Sequence, residues 1–338
     1  MTDTPLVVRA ATPDDTDALL RLARAAGQGM TNLPACREGL QRKLVESADA
    51  MASTTPPPSV QLTLALDRDG EMLGSGALFP RVGADWPFYS FRISAMRQTS
   101  RALGKTVTGD RLVLVNDYDG YSEVGGLVVD PTLRGQQAGR LIARARYLFL
   151  AEHRAWFGKR VLAELRGWHE ADGRSPVWEA LGRPFYEMDF AEADRLGVGE
   201  GKQMIADLGP KHPIYMNLLP PDARAAIGKP HQDGRPAEKM LVDEGFRFEG
   251  CVDIFDGGPT MVADVENLKA VRDSRRATVI AVGERRGGTD SLVSTGRGPS
   301  FRAARGAVMA LGGGVRVSQG LIDALDLKPG DEVRHVAF

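Results

Sequence analysis

Ser122-Glu-Val-Gly-Gly-Leu-Val-Val-Asp-Pro-Thr-Leu-Arg-Gly-Gln-Gln-Ala-Gly-Arg140 is the stretch that decides the fold. Its first half, Tyr121 to Val129, reads as a strand. Asp130-Pro131 ends it, because proline has no N–H to extend a ladder. Arg134 to Gly139 is a polar, glycine-containing turn. From Gly139 to Arg154, Leu141, Ala145, Leu148 and Phe149 recur at helical spacing. A strand that enters a helix N-terminus through a tight turn leaves backbone N–H groups unpaired. Together with the helix dipole they form a site for phosphate. Arg134 and Arg140 bracket the turn and can add charge-assisted bonds to a pyrophosphate. On this segment alone an ordinary βα connection with solvated arginines is the alternative.

Upstream, Leu6 to Ala10 is a short β-prone run. Thr12 before Pro13 then caps a helix whose apolar face is Leu19, Leu20, Leu22 and Ala23. Leu33 to Met51 is expected as a second helix. Val60 to Leu66 and Glu71 to Phe79 flank Asp67-Arg-Asp-Gly70 as a hairpin. Residues 81–110 give no clear period, although Trp86, Phe88, Tyr89 and Phe91 cluster there. Leu112 to Val115 is a further strand. Downstream, Val161 to Leu165 is a strand, with short helical pieces at Val177 to Leu181 and Ala191 to Leu196. Arg235 to Glu244 is a helix closed by Gly245, and Phe246 to Asp253 is a strand. The texture changes at Asp256-Gly-Gly-Pro259, so a boundary is expected near residue 257. A glycine-rich stretch, Gly283 to Pro299, is expected as a mobile loop. The expected architecture is α/β: a mixed, twisted sheet flanked by helices over residues 1–256, then a small β-rich, barrel-like domain over 257–338.

The 338 residues favour two domains, since single cores stop growing at roughly 250–300 residues. A net charge of −1 argues against a nucleic-acid partner. No apolar run approaches the roughly 18 residues that span a bilayer, and no membrane partner is expected. Cys36 and Cys251 are far apart in no metal-binding pattern, which fits a reducing cytoplasm. No HExxH, GxxxxGK[ST] or GxSxG motif occurs, and no metal is expected. Gly197-Val-Gly-Glu-Gly201-Lys202 is glycine-rich but reads as a loop.

The strand–turn–helix segment resembles the GNAT acyltransferases. Their Arg/Gln-x-x-Gly-x-Gly/Ala signature is matched by Arg134 and Gly139, with Gln137 where glycine is usual. Longer strings resemble the arginine N-succinyltransferase family. They include Pro87-Phe-Tyr-Ser-Phe-Arg92, Asn116-Asp117, Ala163-Glu-Leu-Arg-Gly167, Ser175-Pro-Val-Trp-Glu-Ala-Leu-Gly182, Met188-Asp-Phe190, Pro210-Lys-His-Pro-Ile-Tyr215, Ile227-Gly228, Glu244-Gly-Phe-Arg247 and Val252-Asp-Ile-Phe-Asp-Gly-Gly-Pro-Thr260. They are collinear from about residue 6 to about 275. The resemblance implies transfer of succinyl from succinyl-CoA to the α-amine of L-arginine, with no permanently bound cofactor and a homo-oligomeric assembly. It implies His231 as proton donor and the backbone of Leu127 at the acyl group. CoA is then expected along Arg134, Gly135, Gly139 and Arg140.

Taken by themselves, His231 is a loop histidine and Leu127 a core residue. His212 is structural or substrate-lining. His153, His169 and His335 carry no partner pattern. Glu123, Asp253 and Asp256 are candidates to hold a guanidinium, and each alone is more commonly a solvated or capping acid. The rival readings are an N-acyltransferase for another amine such as ornithine, or for another acyl-CoA, and a non-catalytic CoA-binding protein.

Overall fold

The computed structural model describes residues 4–26, 33–190, 192–193, 204, 207–283 and 288–338. The chain opens with β1 (Val7–Ala10), α1 (Thr16–Ala26) and α2 (Arg37–Ala52). Asp15 caps this entry by accepting from Thr12 N at 2.8 Å, and Arg9 clamps the Asp15 carboxylate through both terminal nitrogens. The expected hairpin is present as β2 (Leu62–Arg68) and β3 (Glu71–Phe79). Asp69 and Gly70 both have positive φ at its turn, the conformation that matches strand twist in two-residue hairpins.

Residues 81–110, which show no period in sequence, contribute most of a long hairpin of β4 (Ser90–Ser100) and β5 (Lys105–Val115). Much of its outer half is exposed on both faces, so no apolar alternation is required there and none is written.

The deciding segment forms β6 (Ser122–Val129), which lies between β3 and β7 (Arg160–Glu164). Helix α3 (Ala138–Glu152) starts beyond the C-terminal end of β6. β6 and β7 are parallel, and the neighbouring pairs in this part of the sheet are antiparallel. The sheet is therefore mixed, and it runs β1-β2-β3-β6-β7, then β10 (Pro259–Asp264), β9 (Arg247–Val252), β4, β5 and β8 (Ile214–Tyr215). α1 and α2 bury Leu19, Leu22, Leu40 and Leu44 on one face. α3 buries Ile142, Ala145, Leu148 and Phe149 on the other. This is the mixed, helix-flanked sheet expected from the sequence.

β10 corrects the boundary expected at residue 257. It pairs with β7 from Thr260↔Glu164 to Asp264↔Arg160, inside the first sheet. Asp256-Gly-Gly-Pro259 is the connection between β9 and β10, and its glycines serve that tight link. The chain leaves this sheet only after β10, through the short helix Lys269–Arg272.

Five strands then follow: β11 (Arg275–Val282), β12 (Thr289–Thr295), β13 (Arg302–Leu311), β14 (Gly314–Val317) and β15 (Glu332–Ala337). Their order, β12-β15-β11-β14-β13, closes through a β12–β13 pairing into a small barrel. The stretch Gly283 to Pro299, expected as a mobile loop, contains strand β12; residues 284–287 lie outside the described residues. So do most of Ala191 to Leu196 and all of Gly197 to Lys202. The barrel is joined to the first sheet because β1 pairs with both β2 and β13. It also packs along α3. Phe301 meets Phe149 edge-on at 5.0 Å, and Gly298 N donates to His153 Nε2 at 2.9 Å. His153 is a pin between the two parts. No described helix is long and apolar enough to cross a membrane.

Candidate active site

The parallel ladder between β6 and β7 consists of Ser122↔Val161 and Glu123↔Leu162. Beyond Glu123 the two strands separate. On its other edge β6 carries a bulge, where the register shifts opposite Ser75 and Ala77. Gly126 sits in it at φ +55, a conformation that glycine adopts without a Cβ penalty. Ser75 Oγ donates to Gly126 O at 3.0 Å, and Arg146 Nη1 donates to Gly125 O at 3.0 Å. The bulge is thereby held from both sides, and Leu127 lies just after it.

A cavity of about 1300 Å³ fills the opening. Leu127, His231, Glu123, Glu164, Asp253 and Asp256 all line it, with Lys43, Arg81, Arg146 and Arg166 as its cations and Trp86, Phe88 and Tyr89 on its wall. The aromatic cluster of the sequence is therefore in part a cavity wall, while Phe91 alone of the four is fully core.

His231 reaches the cavity from the far side of β7. Pro230 bridges to Gly167, and His231 N donates to Arg166 O at 2.8 Å. Its ring caps the turn Gln232–Gly234, where Asp233 N donates to His231 Nδ1 at 3.2 Å. A ring that accepts at Nδ1 carries its proton on Nε2 when neutral. The Nε2 side is then the donor, which is the disposition a proton-delivering histidine requires. His169 lies 6.0 Å from it, ring to ring, and its Nδ1 is bonded to Gly167 O. His212 is exposed and away from the cavity, which removes it as a substrate-lining residue.

The acids form one group, Glu123 and Asp256 buried and Glu164 and Asp253 half-buried. Asp256 accepts from Gly167 N at 2.7 Å and Gly258 N at 2.9 Å, and so ties the β9–β10 connection to the end of β7. Asp253 Oδ1 accepts from Phe255 N and Asp256 N. Burial and the neighbouring Asp256 push the Asp253 carboxyl up to about 7. Glu164, the last residue of β7, is raised well above the carboxylate range by burial, then by Asp253, Glu123 and Asp256. Several like charges in one dry space resist ionisation together. A cation delivered by a ligand would relieve that repulsion. Sequence singled out Glu123, Asp253 and Asp256 but not Glu164. Its only local signal is an acid at the end of an otherwise apolar strand. On the cavity's other side burial lowers Lys43 to about 8, while its Nζ donates to Gln61 Oε1.

At the turn, Asp130 caps Pro131–Leu133 by accepting from Thr132 N at 2.9 Å. Gly135 has φ +82, and Gln137, the N-cap of α3, has φ +58. The side chain at position 137 therefore does not unwind the turn; it occupies the left-handed region that glycine usually fills. A Cβ at Gly135 or Gly139 would meet nothing within 4 Å, so protein packing does not require glycine at either place. Arg134 is exposed beside the turn. The Arg140 guanidinium lies 4.9 Å above the Phe338 ring, so the last residue of the chain already engages it.

Comparison with known proteins gives two family models. Residues 6–270 match the arginine N-succinyltransferase beta subunit, and residues 275–337 match the C-terminal domain of that subunit. The break between them falls beyond β10, where the strand pairing also divides the chain. Arginine N-succinyltransferase of Yersinia pseudotuberculosis is 37% identical over 268 residues, covering 79% of this chain and 77% of that one. Arginine N-succinyltransferase subunit beta of Pseudomonas aeruginosa is 39% identical over 280 residues, 82% of each. The solved structure of arginine/ornithine succinyltransferase subunit AI from Pseudomonas aeruginosa superposes with a TM-score of 0.89 at 31% identity, covering 99% of both chains.

Proposed function

The chain belongs to the arginine N-succinyltransferase family, and we propose from that premise that it transfers the succinyl group of succinyl-CoA directly to the α-amine of L-arginine. The observation that carries this reading is a cavity at the β6–β7 opening that Leu127, His231 and the acidic group share.

In this reading the CoA pyrophosphate lies on the turn Arg134 to Arg140, where the first N–H groups of α3 have no partner within the helix. Gly135 and Gly139 let the phosphates approach the backbone. The thioester enters the opening, and the Leu127 N–H faces its carbonyl oxygen as charge develops there. The neutral α-amine attacks that carbon, a C–N bond forms, and the C–S bond breaks. His231, as imidazolium, delivers its Nε2 proton to the departing thiolate, and the proton shed by the newly acylated nitrogen passes through solvent to restore it. The acidic group holds the acceptor's cationic side chain. Neither cysteine takes the acyl group: Cys251 is buried away from the cavity and Cys36 is on α2's N-cap.

The decisive experiment is thiol release by the purified protein over a matrix of donors and acceptors. Succinyl-CoA with arginine should give the highest kcat/KM. A preference for ornithine, for another acyl-CoA, or no turnover at all would replace the assignment. Charge reversal at Arg134 should raise the KM for succinyl-CoA, more so at low salt. Reversal at Arg140 should act in the same direction and also loosen Phe338. Unchanged affinity in both variants would place the cofactor elsewhere.

The Gln137 backbone leads to a further expected result. A non-glycine residue in the left-handed region costs roughly 1–2 kcal/mol, of which glycine's added unfolded-state freedom returns about half. Gln137→Gly should therefore raise the melting temperature slightly, by about 1–2 °C. It should also lower the KM for succinyl-CoA, because the phosphate approach is opened. A rise in KM would mean that the glutamine side chain is itself a CoA contact.

A further inference from the structure

α3 carries two buried arginines with opposite circumstances. Arg144 is 8% exposed; its Nε lies 3.3 Å from Glu244 Oε2 and its Nη1 donates to Ala337 O. Arg146 is 3% exposed. Its hydrogen bonds go to two neutral carbonyls, Gly125 O at 3.0 Å and Ala77 O at 3.5 Å, and its Nε is buried with no hydrogen-bond partner. Among the described residues no carboxylate lies within ion-pair distance of it. Room has been made for this side chain, since a Cβ on Gly76 would come within 3.0 Å of Arg146 Cδ. An isolated charge so placed costs several kcal/mol unless something neutralises it. Burial accordingly depresses its pKa.

The guanidinium lies on the wall of the cavity at the bulge and bonds to the carbonyl two residues before Leu127. Two residues of chain span at most about 7 Å. With the thioester carbonyl at the Leu127 N–H, a four-carbon diacid chain has the length to bring its far carboxylate to that guanidinium. We propose that Arg146 binds the distal carboxylate of the acyl donor and so selects dicarboxylic acyl-CoA over neutral acyl-CoA. The assignment rests on the transferase reading above. Arg146 serves as a specificity residue: its charge is left unmatched by the protein because the donor brings the counter-charge.

The test compares succinyl-CoA with butyryl-CoA, which has the same chain length and a methyl in place of the carboxylate. In the wild type, kcat/KM for succinyl-CoA should exceed that for butyryl-CoA by about 10²–10³-fold, as for a site built around a charged partner. Arg146→Met should lower the succinyl-CoA value by about 10²-fold or more and the butyryl-CoA value far less, because Ser75 Oγ still holds the bulge. Arg146→Lys should recover part of the succinyl-CoA activity. If both donors decline in parallel in Arg146→Met, Arg146 only braces the bulge and the assignment is overturned. If the wild type turns over butyryl-CoA with arginine as well as succinyl-CoA, carboxylate selection is absent. If the wild type turns over neither donor, the transferase reading itself fails and takes the assignment with it. A measurement free of variants stands beside these. Succinyl-CoA should raise the wild-type melting temperature more than butyryl-CoA at equal concentration, and equal shifts overturn the proposal.

Discussion

Replacing His231 by alanine should lower kcat by roughly 10²–10⁴-fold, the range for loss of a positioned acid or base. The KM for succinyl-CoA should change far less, because the turn before α3 that is proposed to hold the CoA phosphates is untouched. The ring is held by Asp233 N on Nδ1 and by its backbone bond to Arg166 O, and the residue lines the cavity. Alanine removes that donor and leaves the thiolate to depart unprotonated. The wild-type pH–rate profile should show a limb that His231→Ala lacks. Steady-state kinetics across pH will decide. A near-normal kcat in the variant would reduce His231 to a cap on the Gln232–Gly234 turn. His169, 6.0 Å away across the same wall, would then be the next histidine to replace.

Arginine binding should depend on pH through the acidic group, and the sign follows from the direction of its shifts. Asp253 titrates at about 7 in the fold, against 3.8 for an unperturbed aspartate. Between roughly pH 4 and 7 the folded, unliganded chain therefore holds a proton that the unfolded chain has lost. From this group alone, stability falls as pH rises through that window and levels off above 7. A guanidinium in the cavity needs the carboxylate ionised, so binding below pH 7 must expel the proton. Arginine affinity should therefore weaken as pH falls below about 7. Glu164 and Asp256 face Asp253 and are raised in the same direction, while Arg166 beside Asp256 works against the rise. Asp253→Asn keeps a side-chain oxygen for Phe255 N and Asp256 N but removes the charge. It should weaken arginine about 10²-fold or more, from the 2–5 kcal/mol that a buried, bonded charge carries at an interface. It should flatten the pH dependence and leave the unliganded protein as stable or more stable at pH 8. Calorimetric titration with arginine at pH 6, 7 and 8, alongside thermal melts, measures all three. An unchanged dissociation constant would show that the acids serve only the β9–β10 connection.

Much of the fold and of the proposed site was legible in the chain because it is written locally. The stop at Asp130-Pro131, the polar turn and the helical spacing of Leu141, Ala145 and Leu148 fix a strand, a turn and α3 through near-neighbour hydrogen bonds and one apolar stripe. Gly245 closes the helix Arg235–Glu244 at φ +118, as a glycine after a helix does. The expected site residues Leu127 and His231 do reach one cavity, although the sequence places them 104 positions apart.

Long-range pairing was not legible, since a strand's partner leaves no mark on its own period. The glycine link after Asp256 looks like a domain end, yet β10 returns to pair with β7. The outer part of the β4–β5 hairpin is exposed on both sides, so it shows no alternation to read. Glu164 and Arg146 are the clearest cases. One ends an apolar strand and the other lies on an amphipathic helix, where a charged residue normally marks the solvent face. Only the separation of β6 from β7 turns that strand end and that helix face toward a common interior. The sequence by itself determined that a strand, a polar glycine-containing turn and the helix α3 follow one another from Ser122 to Glu152. The tertiary structure alone decided which charges lost their water, because burial depends on what the rest of the chain brings to the other side.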